Sequence, residues 1–255
     1  MKPTPFSDRR GLFAAVYLAW WITLLSFVIS GEYRNFIQPS FVVFLWLALA
    51  ILLVFAVAEV MQLGSAKAEV RDVVRSGFLI LPLFALWLAY GQTLDSQAYL
   101  KRAVALGPRT GTPSDKPIHS GKAIVSRPNS KSEPLQVTIL NILQKPKDFE
   151  GKWVETEGMA LREETMRKDK FMRKEASVPG AFVLFRFSII CCVADSQPLG
   201  LLVEGANQKD LIDNDWYRVV GRFAINKDQM GTISQAVLSK LKTPPESPYL
   251  YGSQN

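Results

Sequence analysis

The sequence predicts an α + β membrane protein with three N-terminal transmembrane helices, followed by an all-β, OB-like small barrel. Three observations support this fold class. Long apolar stretches are concentrated in the N-terminal part of the chain. The C-terminal part has the composition of an ordinary soluble domain. Within that part, short segments that alternate apolar and polar residues are separated by turn-forming residues, which is typical of small β-barrels.

The apolar stretches predict membrane helices at about residues 11–30, 41–60 and 77–94. The first two are long enough to cross a hydrocarbon core of roughly 30 Å at 1.5 Å per residue. A signal peptide is the alternative for the first stretch, but no A-x-A cleavage site follows it. The third stretch contains Pro82 and is the least hydrophobic, so an interfacial or core helix is the alternative there. A continuation of the third helix through 95–106 is also open.

The distribution of basic residues predicts the orientation in the membrane. Lys and Arg are frequent in the N-terminal tail and between the second and third stretches, whereas the first loop contains only Arg34. The positive-inside rule therefore places the N-terminus in the cytoplasm, and three crossings place everything after about Asp95 outside. The prediction is a multi-pass protein of the plasma (inner) membrane with an extracytoplasmic C-terminal domain. The net charge of +7 partly reflects these anchoring residues and does not indicate nucleic acid.

Composition divides the chain into four segments. Residues 1–106 are predicted to form the membrane domain, 107–134 a flexible linker, 135–242 the OB-like extracytoplasmic domain and 243–255 a disordered tail. The linker is rich in Pro, Gly, Ser and Lys and has no apolar periodicity, so it has little to bury. The single histidine, His119, lies in this linker. A solvated residue is the simpler interpretation of His119, and an occasional metal ligand is the alternative.

The barrel is predicted from five strand-like segments preceded by a short amphipathic helix. The strands are predicted at 153–161, 181–191, 199–204, 216–225 and 231–238. A one-turn helix at 207–212 between the third and fourth strands completes the pattern of an OB-fold. In the second strand one parity is wholly apolar and includes Cys191, which predicts that Cys191 faces the core, with Arg186 on the opposite, wet face. Gly158 and Gly221 inside strands fit the sharp bends of a small barrel.

Several motifs resemble a known family. Residues 186–203 read RFSIICCVADSQPLGLLV, with the motif CC-x-AD, and residues 216–221 match W-x-x-V-x-G. Upstream, DFEGKWVETEG leads into the first strand. Together with the N-terminal hydrophobic segments, this pattern resembles the YcgQ-like family of two-component permease accessory subunits. The resemblance implies a partner, a multi-spanning permease of the YcgR-like type, and an association with metal-ion homeostasis, especially of zinc.

The two cysteines and a nearby carboxylate are the candidate site. Cys191, Cys192 and Asp195 are candidate metal ligands and zinc is the candidate cofactor, because a thiolate beside a carboxylate is a ligand combination found in zinc sites. Vicinal cysteines on a regular strand point to opposite faces, so both can bind one ion only if a bulge or turn re-aims them. Two alternatives are plain structural residues and a redox pair. A complete zinc site takes four ligands, so a permease subunit or a second protomer would donate the rest.

Enzyme signatures are missing from the sequence. It contains no G-x-S-x-G, Walker A, H-E-x-x-H or dinucleotide-binding motif, which predicts that the protein is not an enzyme. The predicted partners are the permease and the lipid membrane, with no nucleic acid. Two functional hypotheses follow. The first is a membrane-anchored accessory subunit of a permease, and the second is a stand-alone extracytoplasmic metal- or thiol-handling protein whose helices are only an anchor.

Overall fold

The chain divides into two compact units, Met1–Gln92 and Thr93–Asn255. The computed structural model describes residues 9–61, 69–91, 93–106, 130–168, 178–206, 210–226 and 231–251. The predicted membrane domain ended at residue 106, so the structure moves this boundary toward the N-terminus. The predicted linker lies outside the described residues over 107–129, and the described residues Ser130 and Glu133 form an antiparallel bridge.

Over its described residues, the first unit contains three α-helices and two short 3-10 helices, Glu32–Asn35 and Pro39–Phe41. Helix α1 is Arg9–Ile29, α2 is Val42–Met61 and α3 is Val70–Leu88. Two segments, α1 and Pro39–Met61, have the length and apolar composition to cross a membrane. The first two predicted membrane helices therefore agree with the structure.

The prediction of three transmembrane helices is corrected. Among the described residues, two helices are long and apolar enough to cross a membrane, and α3 is not one of them. Helix α3 is 19 residues long, but its first turns contain Arg71, Asp72 and Arg75. Its uninterrupted apolar part begins only at Gly77, and the remainder of the helix spans about 18 Å at 1.5 Å per residue. That length is short of a hydrocarbon core of roughly 30 Å. The helix also ends at Leu88, so it neither reaches residue 94 nor continues through 95–106.

The second unit is built on a sheet of seven strands. They are β1 Leu135–Gln136, β2 Trp153–Leu161, β3 Phe182–Ile189, β4 Gln197–Val203, β5 Trp216–Ile225, β6 Gly231–Lys240 and β7 Tyr249–Tyr251. Four short α-helices accompany them in the described residues. They are α4 Ser96–Leu106, α5 Ile139–Gln144, α6 Pro146–Phe149 and α7 Glu163–Lys168. The five predicted strands are confirmed as β2 to β6, with differences at some ends. In the helix predicted at 207–212, the described residues 210–212 are not helical.

Five of these strands close into a barrel. The neighbours run β2, β5, β6, β4 and β3, and β3 returns to β2 through three residue pairs that join Met159–Leu161 to Val183–Phe185. All neighbours in the barrel are antiparallel except β4 and β6, which are parallel. Strands β1 and β7 extend the sheet in parallel with β2 and β3. The structure confirms a small closed barrel with the strand number of an OB-fold.

One apolar cluster fills the interior of this barrel and draws residues from all five strands. Helix α5 packs against the strands with Ile139 and Ile142, both fully buried. Thr138 caps this helix, since its hydroxyl oxygen accepts the backbone N–H of Asn141 at 3.1 Å. The predicted amphipathic helix before the first barrel strand is therefore confirmed.

A second apolar cluster covers the opposite face of β3. Helix α4 contributes Tyr99, whose ring centroid lies 4.7 Å from that of Phe185. Because α4 packs here, it belongs to the barrel unit and not to the membrane domain assigned from sequence. Phe182 and Leu184, which share the parity of Arg186, belong to the interior cluster. Strand β3 is therefore buried on both faces, and Arg186, predicted on a wet face, is only 8% exposed.

Close approach between strands explains the glycines inside them. A Cβ at position 158 would lie 2.9 Å from the Phe185 carbonyl oxygen and from Leu184 Cγ. A Cβ at position 221 would lie 2.8 Å from the Ser234 carbonyl oxygen, and the β5–β6 register shifts at this point. These contacts agree with the sharp bends predicted at Gly158 and Gly221.

The predicted disordered tail, 243–255, is corrected by the structure. Tyr249–Tyr251 form β7, which pairs in parallel with Phe187–Ile189, and all three residues are buried. The Tyr249 hydroxyl also accepts the backbone N–H of Leu94 at 3.3 Å. The aromatic side chains of this segment bury enough apolar surface to order it, despite the prolines before it. Residues 252–255 lie outside the described part.

Candidate functional site

The candidate ligands lie together in one tight turn between β3 and β4. We call residues 190–196 the cysteine turn. Strand β3 ends at Ile189, Cys191 and Cys192 follow, and a 3-10 turn formed by Val193–Asp195 leads to β4. Cys191 is exposed and Cys192 is half-buried, so the prediction that Cys191 faces the core is wrong. The strand ends before the cysteines, and the parity of β3 does not extend to them.

The Asp195 carboxylate determines the shape of the cysteine turn. Its Oδ1 accepts the backbone N–H of Ile190 at 2.9 Å, and its Oδ2 accepts those of Cys191 at 2.7 Å and Cys192 at 3.2 Å. A carboxylate that binds three consecutive N–H groups competes with the β-ladder and curls the backbone around itself. This local chemistry explains why Cys191 leaves the strand.

The curled backbone brings the three candidate ligands together. The Sγ atoms of Cys191 and Cys192 are 3.7 Å apart, and both thiols are free. The ligand atoms of Cys191, Cys192 and Asp195 all lie within 4.8 Å of one another. The sequence required a bulge or turn for two vicinal cysteines to face one ion, and the structure contains such a turn. In the described residues no fourth His, Cys, Asp or Glu joins this group.

The neighbours of the Cys191 thiol keep it protonated at neutral pH. The hydrogen bond with Asp195, followed by that with Cys192, raises the pKa of Cys191 to about 11. Partial burial opposes ionisation of Asp195, but the hydrogen bonds from Cys191 and from the three backbone N–H groups outweigh it and lower the pKa of Asp195. At neutral pH, Cys191 is therefore a neutral thiol beside an ionised carboxylate.

The donor set fits part of a zinc site. Zinc takes thiolate and carboxylate ligands in tetrahedral sites of four, and the turn offers two sulfurs and one oxygen. Ligand thiols must lose their protons, so an ion held here would have to displace a proton from Cys191. The redox alternative starts from a reduced pair, because the 3.7 Å between the sulfurs is far longer than a disulfide bond of roughly 2.05 Å.

The sequence did not indicate that Arg102 belongs to this site. Its Nη1 atom donates to the carbonyl oxygens of Val193 at 3.1 Å and Ser196 at 2.9 Å. Arg102 lies on α4, so one helix fastens the cysteine turn to the outer face of the barrel. A basic residue within a partly apolar helical pattern was the one sequence feature that could have indicated a role for Arg102. Its two acceptors are remote in the chain, so the sequence could not show which residues it binds.

The fold and the site together define a class of protein: membrane-type helices followed by a small β-barrel that carries a dithiol–carboxylate turn. The chain belongs to the DUF1980 family. The DUF1980 N-terminal domain matches residues 12–104, and the DUF1980 C-terminal domain matches residues 131–252. This result confirms the resemblance to the YcgQ-like family.

Two relatives are similar to this chain. UPF0703 protein YcgQ of Bacillus subtilis is 30% identical over 111 residues, which cover 42% of this chain and 35% of the relative. A protein of Streptococcus mutans that is named as a two-component membrane permease complex subunit is 30% identical over 131 residues. Those residues cover 47% of this chain and 44% of that protein. The matches thus span less than half of either relative.

We predict that replacing the Asp195 carboxylate activates Cys191. Because the raised pKa of Cys191 depends first on Asp195, Asp195→Asn should lower that pKa toward the ordinary value. In a Cys192→Ser background, the rate of iodoacetamide alkylation at pH 8 should increase about tenfold, since thiolate concentration grows faster than nucleophilicity falls.

Asp213→Asn is the matched control for this measurement. Asp213 accepts the backbone N–H of Arg162 at 2.7 Å and the Thr165 hydroxyl at 2.6 Å, so it shapes a different turn. Its replacement should leave the alkylation rate of Cys191 unchanged. An unchanged rate in Asp195→Asn as well would mean that the carboxylate does not control the thiol.

Proposed function

We propose that this protein is a membrane-anchored accessory subunit of a permease complex and that it is not an enzyme. The observation that carries the proposal is the similarity to the Streptococcus mutans protein named as a subunit of such a complex. The two candidate membrane helices agree with it. Helix α2 also exposes large apolar side chains, among them Phe44, Trp46 and Phe55, which require lipid or partner helices around them.

Co-purification in mild detergent tests the partner. The full chain should retain a multi-spanning permease of the YcgR-like type in stoichiometric amount. A matched chain in which residues 1–92 are replaced by an unrelated anchor that keeps the barrel on the same side of the membrane should lose it, because association of membrane helices depends on their specific packing. A chain that is recovered alone, with metal bound, would instead support the stand-alone metal- or thiol-handling protein.

We further propose that the barrel lies outside the cytoplasm. Arg9 Nε lies 3.5 Å from Asp72 Oδ1, and Trp20 Nε1 donates to the Leu79 carbonyl oxygen at 2.9 Å. Both contacts advance toward the C-terminus along α1 and α3, so the two helices run parallel. The proposal therefore takes α3 to follow α1 across the membrane, although α3 has too short an apolar part to count as a span by itself. The chain then leaves the helical unit at the end opposite to Arg9, and the positive-inside rule assigns the Arg9 end to the cytoplasm.

Fusions to alkaline phosphatase, which is active only outside the cytoplasm, test this placement. A fusion after Leu106 should be active, because it follows α3. A fusion after Met61, at the end of α2, should be inactive and serves as the matched control. Activity after Met61 with none after Leu106 would reverse the proposed orientation, and inactivity of both would return the barrel to the cytoplasmic side.

We also propose that the cysteine turn contacts a zinc ion through Cys191, Cys192 and Asp195. The support is the convergence of their ligand atoms within 4.8 Å, together with the zinc association implied by the resemblance. The remaining ligand would come from water, the permease or a second copy of the chain. In this proposal the barrel binds or presents the ion outside the membrane.

Melting temperatures with and without zinc test the metal proposal. Zinc should stabilise the full chain in detergent, more strongly as the pH rises, because the ion must displace the proton of Cys191. Cys191→Ser, Cys192→Ser and Asp195→Ala should each abolish this stabilisation. Without zinc, Cys191→Ser should change little because Cys191 is exposed, whereas Asp195→Ala should cost about 1–3 kcal/mol through its lost backbone hydrogen bonds.

Asp213→Ala again provides the control. It should lower the melting temperature through the loss of its own turn contacts but keep the response to zinc. Zinc stabilisation that is equal in all these variants, or absent from the parent, would end the metal proposal and leave the cysteine turn as a structural element.

A further inference from the structure

A cavity separate from the cysteine turn lies where β2 and β3 diverge. The two strands pair only through Met159–Leu161 and Val183–Phe185, and beyond this point β1 pairs with β2 while β7 pairs with β3. The gap forms a cavity of about 330 Å³. It is lined by Gln136, Val137, Thr138, Asn141, Glu155, Thr156, Glu157, Arg186 and Arg218. We call this cavity the strand cleft.

Two buried polar groups in the strand cleft have no hydrogen-bond partner in the described structure. The Thr156 side chain is 2% exposed and its hydroxyl is unpaired. Arg186 is 8% exposed, and its Nε is also unpaired. Because a buried unsatisfied polar group costs about 1–3 kcal/mol, native proteins keep such groups rarely and often at functional positions.

Arg186 is held in place without a carboxylate partner. Its Nη2 atom donates to the carbonyl oxygens of Ser247 at 2.5 Å and Tyr249 at 3.5 Å, and its guanidinium lies 5.2 Å from the centroid of the Trp216 ring. Burial lowers the pKa of Arg186 to about 10, so the side chain is still cationic at neutral pH. In the described part of the chain, no carboxylate lies within ion-pairing distance of it, and the longer-range attraction of Glu157 only partly offsets the effect of burial on its pKa.

The opposite charge predominates at another wall of the strand cleft. Arg218 lies 3.3 Å from Glu155 through Nε and 2.8 Å from Glu157 through Nη2, so one cation serves two carboxylates. This trio carries a net charge of −1, and with Arg186 the four charges sum to zero. The strand cleft is therefore neutral as a whole but dipolar, with a buried cation and a partly exposed anionic rim.

We propose that the strand cleft binds a small zwitterion of the amino-acid type. The carboxylate of such a ligand matches the planar donors of a guanidinium, and its ammonium group matches the excess carboxylate of the rim. A dianion such as phosphate would be repelled by Glu155 and Glu157. The volume lies at the lower end of the range for small-molecule sites, and the amide and hydroxyl groups of the lining suit a polar ligand. The proposal does not depend on the permease assignment or on the cysteine turn.

Hydrogen–deuterium exchange of the full chain in detergent tests this proposal, read out on peptides from β2 and β3. The probes are L-alanine and L-glutamine, compared with N-acetyl-alanine, which lacks the ammonium charge, and alanine amide, which lacks the carboxylate. The free amino acids should protect β2 and β3. Each blocked analogue should require at least tenfold higher concentration, because it satisfies only one end of the strand cleft.

Substitutions assign the effect to the strand cleft. Arg186→Lys keeps the charge but loses the planar donors, and it should weaken protection about tenfold. Thr156→Val removes only the unpaired hydroxyl, so it should weaken protection several-fold without lowering the melting temperature. Thr232→Val is the matched control, because Thr232 is also buried with an unpaired hydroxyl but does not line this cavity.

Protection by free amino acids that is reduced in Arg186→Lys and Thr156→Val, and retained in Thr232→Val, would support the proposal. Equal protection by the blocked analogues or by inorganic phosphate would overturn the zwitterionic ligand. Absence of protection in the parent, or equal loss in all three variants, would overturn the site itself.

Discussion

The three residue pairs between β2 and β3 are the contact on which the second unit depends. They close the barrel, and the missing Cβ of Gly158 lets the strands approach at the point where pairing ends. Beyond that point the strands separate, because β3 turns away to pair with β7. The same departure opens the strand cleft, while β3 continues beside β4 to the cysteine turn. Barrel closure and the strand cleft therefore follow from one short ladder.

The two candidate sites use charge in opposite ways. In the cysteine turn, three backbone N–H groups donate hydrogen bonds to the Asp195 carboxylate, so this charge fixes the shape of the turn. The same carboxylate raises the pKa of the adjacent Cys191 thiol. In the strand cleft, the Arg186 guanidinium has carbonyl partners at one nitrogen only, and charge remains for a ligand. The first arrangement is poised for an ion that can displace a proton, and the second for a ligand that brings its own opposite charges.

The sequence predicted what depends on local periodicity and missed what depends on remote packing. Alternation located the five barrel strands, because each strand has one face toward the interior. It placed Cys191 wrongly, because the carboxylate of Asp195 ends the strand before parity can reach the thiol. It placed Arg186 on a wet face, because the residues that contact its guanidinium, Trp216 and the carbonyls of Ser247 and Tyr249, are far away in the chain. The three candidate ligands were nevertheless found, since they are neighbours in sequence.

Helix α4 has a mechanical consequence for the cysteine turn. Near its start, Leu94 donates to the hydroxyl of Tyr249 in β7, and further along Arg102 grips the carbonyls of Val193 and Ser196. Helix α4 and the residues just before it thus connect the start of the second unit with β7 and with the cysteine turn. The positions of the two sulfurs therefore depend on the packing of α4 as well as on the barrel strands.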